Sequence, residues 1–99
     1  MQKKIQVVTK PNCSRCKILK DWLKEKDYEF TEWLVENQNI QNKLLHDKQF
    51  TNTFCDIEGC KVFTPLLRVD ETGKYYSKQL FGIDGLREEF LSNLILKSD

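Results

Sequence analysis

The sequence has almost no excess of charge of either sign. Its 16 lysines and arginines face 15 aspartates and glutamates, a formal net charge of +1, and no long run of one sign occurs. A basic stripe able to track a phosphate backbone is therefore not suggested, and nucleic acid is not an expected partner. Long apolar runs are missing as well. Met1-Gln2-Lys3-Lys4-Ile5-Gln6 opens with charge and has no continuous hydrophobic segment behind it, so neither a signal peptide nor a membrane span is expected, and the chain reads as cytoplasmic. Repeats, linkers and low-complexity tracts are also lacking, and with 99 residues, the modal size for one domain, residues 1–99 read as a single domain; a monomer is the expectation. Histidine occurs once, as His46, away from any cysteine motif, and takes no role.

What is there is sufficient for a packed core. Hydrophobic residues at 39% and aromatics at 11% exceed what a disordered chain carries, and Trp22 and Trp33 add large apolar surface. The four cysteines form two closely spaced pairs, Cys13 with Cys16 and Cys55 with Cys60. In a reducing compartment such pairs point to redox chemistry or metal binding rather than to structural disulfides.

The hydrophobic periodicity gives an element order. Ile5-Gln6-Val7-Val8-Thr9 is short and rich in β-branched residues, and Pro11-Asn12 closes it, which predicts a strand buried on at least one face. From Ser14 the period becomes helical: Leu19, Trp22 and Leu23 share one face to about Lys26, and Lys17 can pair with Asp21 across one turn. Tyr28, Phe30 and Trp33-Leu34-Val35 predict a second strand. Ile40, Leu44 and Leu45 predict a second helix within residues 36–48, capped by Asn37 or Asn39. Residues 49–63 read as loop with at most one helical turn. Leu66-Leu67-Arg68-Val69 and the run from Tyr75 to Leu80 flank Asp70-Glu71-Thr72-Gly73-Lys74, which has the chemistry of a hairpin turn. Asp84 is placed to cap a last helix whose stripe is Leu86, Phe90, Leu91, Leu94 and Ile95. The order β-α-β-α-β-β-α implies an α/β sheet with helices on its faces.

That order gives the first cysteine pair its meaning. Cys13 falls at a helix start, where free backbone amides and the macrodipole favour a thiolate, and Cys16 lies one turn inward on the same side. Lys10, Arg15 and Lys17 add positive charge around this turn. Cys13 is the expected nucleophile and Cys16 the resolving thiol, through a mixed disulfide. The same spacing is half of many zinc sites, but a pair that follows a strand and opens a helix favours redox work.

Thr9-Lys10-Pro11-Asn12-Cys13-Ser14-Arg15-Cys16 after a strand, Thr64-Pro65 before a hairpin and Gly82-Ile83-Asp84 before the final helix together resemble a glutaredoxin over nearly the whole chain. The resemblance implies a thioredoxin-like fold, a four-stranded mixed sheet with three flanking helices, and reduction of protein or glutathione mixed disulfides with glutathione as reductant and no metal. It implies that Lys10 meets a glutathione carboxylate, that Pro65 follows a cis peptide, and that Thr64 offers its backbone to an extended substrate. Arg15 and Asp84 complete the residues expected to hold glutathione or a disulfide-containing protein. The chain departs from the usual pattern at Ser14-Arg15, where many glutaredoxins carry Pro-Tyr; an aromatic wall is lost and a cation gained beside the nucleophile. The opening is similar also to the thioredoxin-reductase-fed hydrogen donors of ribonucleotide reductase, and loosely to arsenate-reductase-type proteins.

For Cys55 and Cys60 three readings compete. They are two ordinary reduced cysteines, a second redox pair, or half of a four-cysteine zinc module with Cys13 and Cys16 that would occupy the nucleophile.

Overall fold

A computed structural model describes residues 2–60 and 63–96. Met1 and residues 61 and 62 of the expected loop lie outside them.

Strand β1 (Ile5–Thr9) is buried along its whole length because it is an inner strand. The sheet order is β2-β1-β5-β6, with β2 (Thr31–Leu34) parallel to β1, and β5 (Leu66–Val69) and β6 (Lys74–Tyr76) antiparallel. The four-stranded mixed sheet is thus as expected. Its two faces divide the side chains of β1 by the strand period of two. Ile5 and Val7, with Leu67 and Val69, pack against Leu19, Trp22 and Leu23 of helix α1 (Ser14–Glu25) and Leu91 and Ile95 of helix α4 (Glu88–Leu96). On the other face Val8, Leu66 and Tyr75 meet Leu44 of helix α2 (Gln38–Leu45) and Phe50 of helix α3 (Lys48–Phe54).

Two buried polar residues on β1 are satisfied. Gln6 accepts from Arg68 Nη1 at 2.8 Å, and Thr9 donates to Glu32 Oε2 at 2.6 Å. Glu32 also receives Lys20 Nζ at 2.8 Å, and the ammonium, then the Thr9 hydroxyl, hold its carboxyl below the usual range. This triad fixes the start of β2 against α1.

Several elements differ from the sequence expectation. Among the described residues four helices flank the sheet rather than three, because α3 occupies part of the stretch read as loop. Asp47 caps it, accepting from Gln49 N at 2.9 Å, and also accepts the Tyr75 hydroxyl at 2.8 Å. Burial, followed by this bond to Asp47, pushes the Tyr75 phenol well above its ordinary pKa. After α3 the chain forms a small hairpin, β3 (Cys55–Asp56) and β4 (Gly59–Cys60), where loop was expected. Strand β6 stops at Tyr76, and a 3-10 turn over Lys78–Leu80 follows, which drops Leu80 into the core at 0% exposure.

The last helix begins at Glu88, so Asp84 is not its cap. Asp84 sits instead in the turn of a second small hairpin, β7 (Phe81–Gly82) and β8 (Gly85–Leu86), where Gly85 takes φ 107°. Trp22 Nε1 donates to Glu88 Oε1 at 2.8 Å and so ties α4 to α1, the helix that carries the first cysteine pair. Trp22 and Phe90 pack as expected, whereas Trp33 is only half-buried, with Lys43 Nζ 5.1 Å from its ring centroid.

Candidate functional site

The site is built where β1 ends. Lys10-Pro11-Asn12 turns the chain, with Asn12 at φ 59°, a left-handed conformation that asparagine tolerates better than most residues. Helix α1 can therefore start immediately, and Cys13 is its N-cap. Its Sγ accepts from the backbone amide of Cys16 at 3.2 Å, and its carbonyl accepts the first helical bond from Lys17 N at 3.1 Å. A sulfur thus occupies the place that a serine or aspartate oxygen fills in an ordinary cap. No acidic residue stands in the first turn of α1 to oppose negative charge there.

Cys13 and Cys16 form a disulfide with Cα atoms 5.2 Å apart, the separation that one helical turn provides. The two sulfurs are not equivalent. Cys13 is half-buried, whereas Cys16 is 2% exposed against the core. An external thiol or disulfide therefore meets Cys13 first, and Cys16 is reached through it.

Beside this turn lies an open groove of ≈470 Å³, lined by Lys10, Arg15, Phe63, Thr64, Pro65, Ser77, Lys78, Phe81 and Gly82. Neither sulfur lines it; Arg15, between them in sequence, does. Among the described residues three cations and no carboxylate face the groove, which makes it favourable to anions. The Arg15 guanidinium stands 5.4 Å from the centroid of the Phe81 ring, a cation–π contact that holds it over the groove. Pro65 is buried at the entrance to β5, and the Thr64–Pro65 peptide is cis.

The structure therefore brings Lys10, Arg15, Thr64 and Pro65 into one groove wall next to Cys13, but not Asp84. Asp84 lines a separate crevice of ≈550 Å³ between the β7–β8 turn and α4, and the two crevices share Gly82. Lys17, expected to add to the field at Cys13, is turned along the helix and bonded to Asp21 at 2.9 Å. Sequence reasoning missed Ser77, Lys78 and Phe81 as groove residues because the run from Tyr75 to Leu80 reads as unbroken strand. No local signal marks the turn that swings Lys78 toward Lys10.

The second pair, Cys55–Cys60, is also a disulfide, bridging residues directly opposite in the β3–β4 ladder. Among the described residues no three histidine, cysteine, aspartate or glutamate side chains converge as a metal-holding group. No helix among the described residues is long and apolar enough to cross a membrane.

No family model matches the chain, and no curated protein matches it. Solved structures are similar in fold, among them two of one protein. The crystal structure of the thioredoxin-like protein BC3987 superimposes with a TM-score of 0.60 at 26% sequence identity, covering 91% of this chain and 97% of that one. A point mutant of the same protein gives 0.59 at 25% identity, covering 91% and 96%. The fold is thus thioredoxin-like, and a C-x-x-C disulfide at the start of the first helix of such a fold is the arrangement of a thiol–disulfide oxidoreductase.

Proposed function

We propose that the protein is a glutaredoxin-like reductase of the cytosol that takes electrons from glutathione and delivers them to glutathione mixed disulfides and protein disulfides. The observation that carries this reading is Cys13 Sγ at the N-cap of α1, beside a groove lined by Lys10, Arg15 and Lys78 and, among the described residues, by no carboxylate. Glutathione is an anion at neutral pH with two carboxylates, and a cationic groove next to the nucleophile suits it.

The chemistry follows from the two environments. Cys13 thiolate attacks the glutathionyl sulfur of a protein mixed disulfide; a bond forms between Cys13 and glutathione while the protein thiolate leaves and takes a proton. A second glutathione thiolate then attacks the glutathionyl sulfur, releasing glutathione disulfide and restoring Cys13. With a protein disulfide as substrate, Cys16 instead attacks Cys13 Sγ, the substrate leaves fully reduced, and two glutathiones later reopen the Cys13–Cys16 bond. Lys10 and Arg15 bind the carboxylates, and the backbone of Thr64, ahead of Pro65, pairs with the extended peptide. Asp84 lies outside this groove, in the neighbouring crevice that shares Gly82 with it.

The test is glutathione-coupled reduction of a glutathionylated peptide. Lys10→Ala and Arg15→Ala should each raise KM by roughly twofold to fivefold with little change in kcat, and less at high salt, as expected for exposed charge contacts. An oxidised protein that glutathione leaves untouched but thioredoxin reductase reduces would transfer the reading to the hydrogen-donor class on the same fold.

A further inference from the structure

The Cys55–Cys60 disulfide stands apart from the groove chemistry and has the same inner and outer asymmetry as the first pair. Cys60 is exposed, whereas Cys55 is half-buried and packs against the cluster of Val8, Leu44, Phe50, Leu66 and Tyr75. The hairpin that carries them has no core of its own. Asp56, Ile57, Glu58, Gly59 and Cys60 are all exposed, and Ile57 is fully so at 102%. Asp56 Oδ1 accepts from Glu58 N at 2.8 Å, and Gly59 takes φ 128°, so the turn is set by local chemistry rather than by the disulfide.

A staple in this position contributes little to the fold. Its sequence separation is 5, so it removes less chain entropy from the unfolded state than a bridge closing a long loop. The buried residues of both core clusters and the four-stranded sheet lie outside the hairpin, which touches them through Cys55 at the edge of one cluster, so the bond can open at Cys60 while those residues keep their packing. A solvent-facing sulfur, an inner partner and a small structural cost are the conditions for a labile rather than a structural disulfide.

We infer that Cys55–Cys60 is a second thiol–disulfide exchange site, entered at Cys60 and independent of Cys13–Cys16. An external thiolate attacks Cys60 Sγ, forming a mixed disulfide as the bond to Cys55 breaks, and the electron pair leaves on Cys55, which takes a proton. A second external thiolate attacks the reagent sulfur of that mixed disulfide and releases Cys60 thiolate, which is protonated in turn. The reagent is oxidised by two electrons to its disulfide, and the protein gains two thiols. The chemical class it accepts is a small neutral thiol, because the turn presents Asp56 and Glu58 while Lys61 follows Cys60 in sequence, so charge of one sign does not dominate there as the cations do beside Cys13.

The experiment uses the full chain carrying Cys13→Ser and Cys16→Ser, so that its outcome does not depend on the glutaredoxin-like reading. The folded protein is equilibrated in buffers of reduced and oxidised dithiothreitol, quenched by alkylation and weighed by mass spectrometry, with far-ultraviolet circular dichroism recorded in each. The expected result is a reversible exchange between a two-thiol and a disulfide state with unchanged secondary structure. Adding Cys55→Ser should leave a Cys60 thiol that alkylates about tenfold faster than Cys55 does in the Cys60→Ser counterpart. Reduction that occurs only after denaturation, or that melts the secondary structure, would make the bond a staple and overturn the inference. So would thiols that stay reduced in fully oxidised buffer, or stoichiometric zinc on the reduced pair that blocks its oxidation.

Discussion

Cys13→Ser should lose glutathione-coupled reductase activity by on the order of a thousandfold or more, because a serine hydroxyl at the same N-cap is not ionised near neutral pH and cannot attack sulfur. Cys16→Ser should behave differently. Cys16 is 2% exposed and reaches substrate only through Cys13, so its loss removes the resolving step and not the first attack. The variant should keep turnover on small glutathione mixed disulfides, where a second glutathione does the resolving. With protein disulfides it should accumulate a covalent adduct at Cys13, visible by non-reducing electrophoresis and released by dithiothreitol. Full activity in Cys13→Ser, or adducts at Cys16 in its place, would reverse the assignment of the two sulfurs.

The second large effect falls on stability and concerns the helix that sequence pattern did not reveal. Phe50 of α3 is 1% exposed, with its ring 5.1 Å from that of Phe54 and 5.6 Å from that of Tyr75, centroid to centroid. Phe50→Ala should cost about 3–5 kcal/mol, the usual range for removing a buried aromatic ring. A domain of this size has only about 5–15 kcal/mol in total, so Tm should fall by at least about 10 °C. Ile57→Ala, at a fully exposed turn, should stay within about 0.5 kcal/mol of the parent. The effect should also reach the groove. Phe54, one turn beyond Phe50, has its ring 6.3 Å from that of Phe63, a groove residue, so loss of α3 packing loosens that wall and raises KM for glutathionylated peptide. A Tm change below about 3 °C in Phe50→Ala would show that α3 is not part of the folded core.

How much of this was legible in the sequence depends on whether a local pattern or a tertiary contact fixes each element. β1 and α1 were readable because the change from a β-branched run to helical spacing occurs across Pro11-Asn12, and Cys13 falls at that boundary. The site's nucleophile follows from the same boundary. α2 was readable with its cap, since Asn37 accepts from Asn39 N at 2.8 Å and Leu44 is the buried member of its stripe. α3 was not. Thr51, Asn52 and Thr53 are poor helix formers, and its only apolar signal is the pair Phe50 and Phe54, so packing against Tyr75 decides what propensity does not. Asp84 misled for a different reason. Aspartate followed by glycine suits a tight turn as well as a helix cap, and here the turn of the β7–β8 hairpin takes it. The groove was half legible. Lys10, Arg15, Thr64 and Pro65 were found from the glutaredoxin resemblance, while Lys78 and Phe81 arrive only through the 3-10 turn after β6, which exists to bury Leu80.

The proposed chemistry requires Cys13 to be held as a thiolate by the first amides of α1, and the most direct test is its titration. In the fully reduced protein, the rate of iodoacetamide alkylation at Cys13, followed peptide by peptide across pH, should report a pKa at least about one unit below the ~8.5 of free cysteine. Alkylation of Cys13 that rises with the ordinary free-thiol pKa would contradict the account, since neither the helix start nor the cationic groove would then be acting on that sulfur.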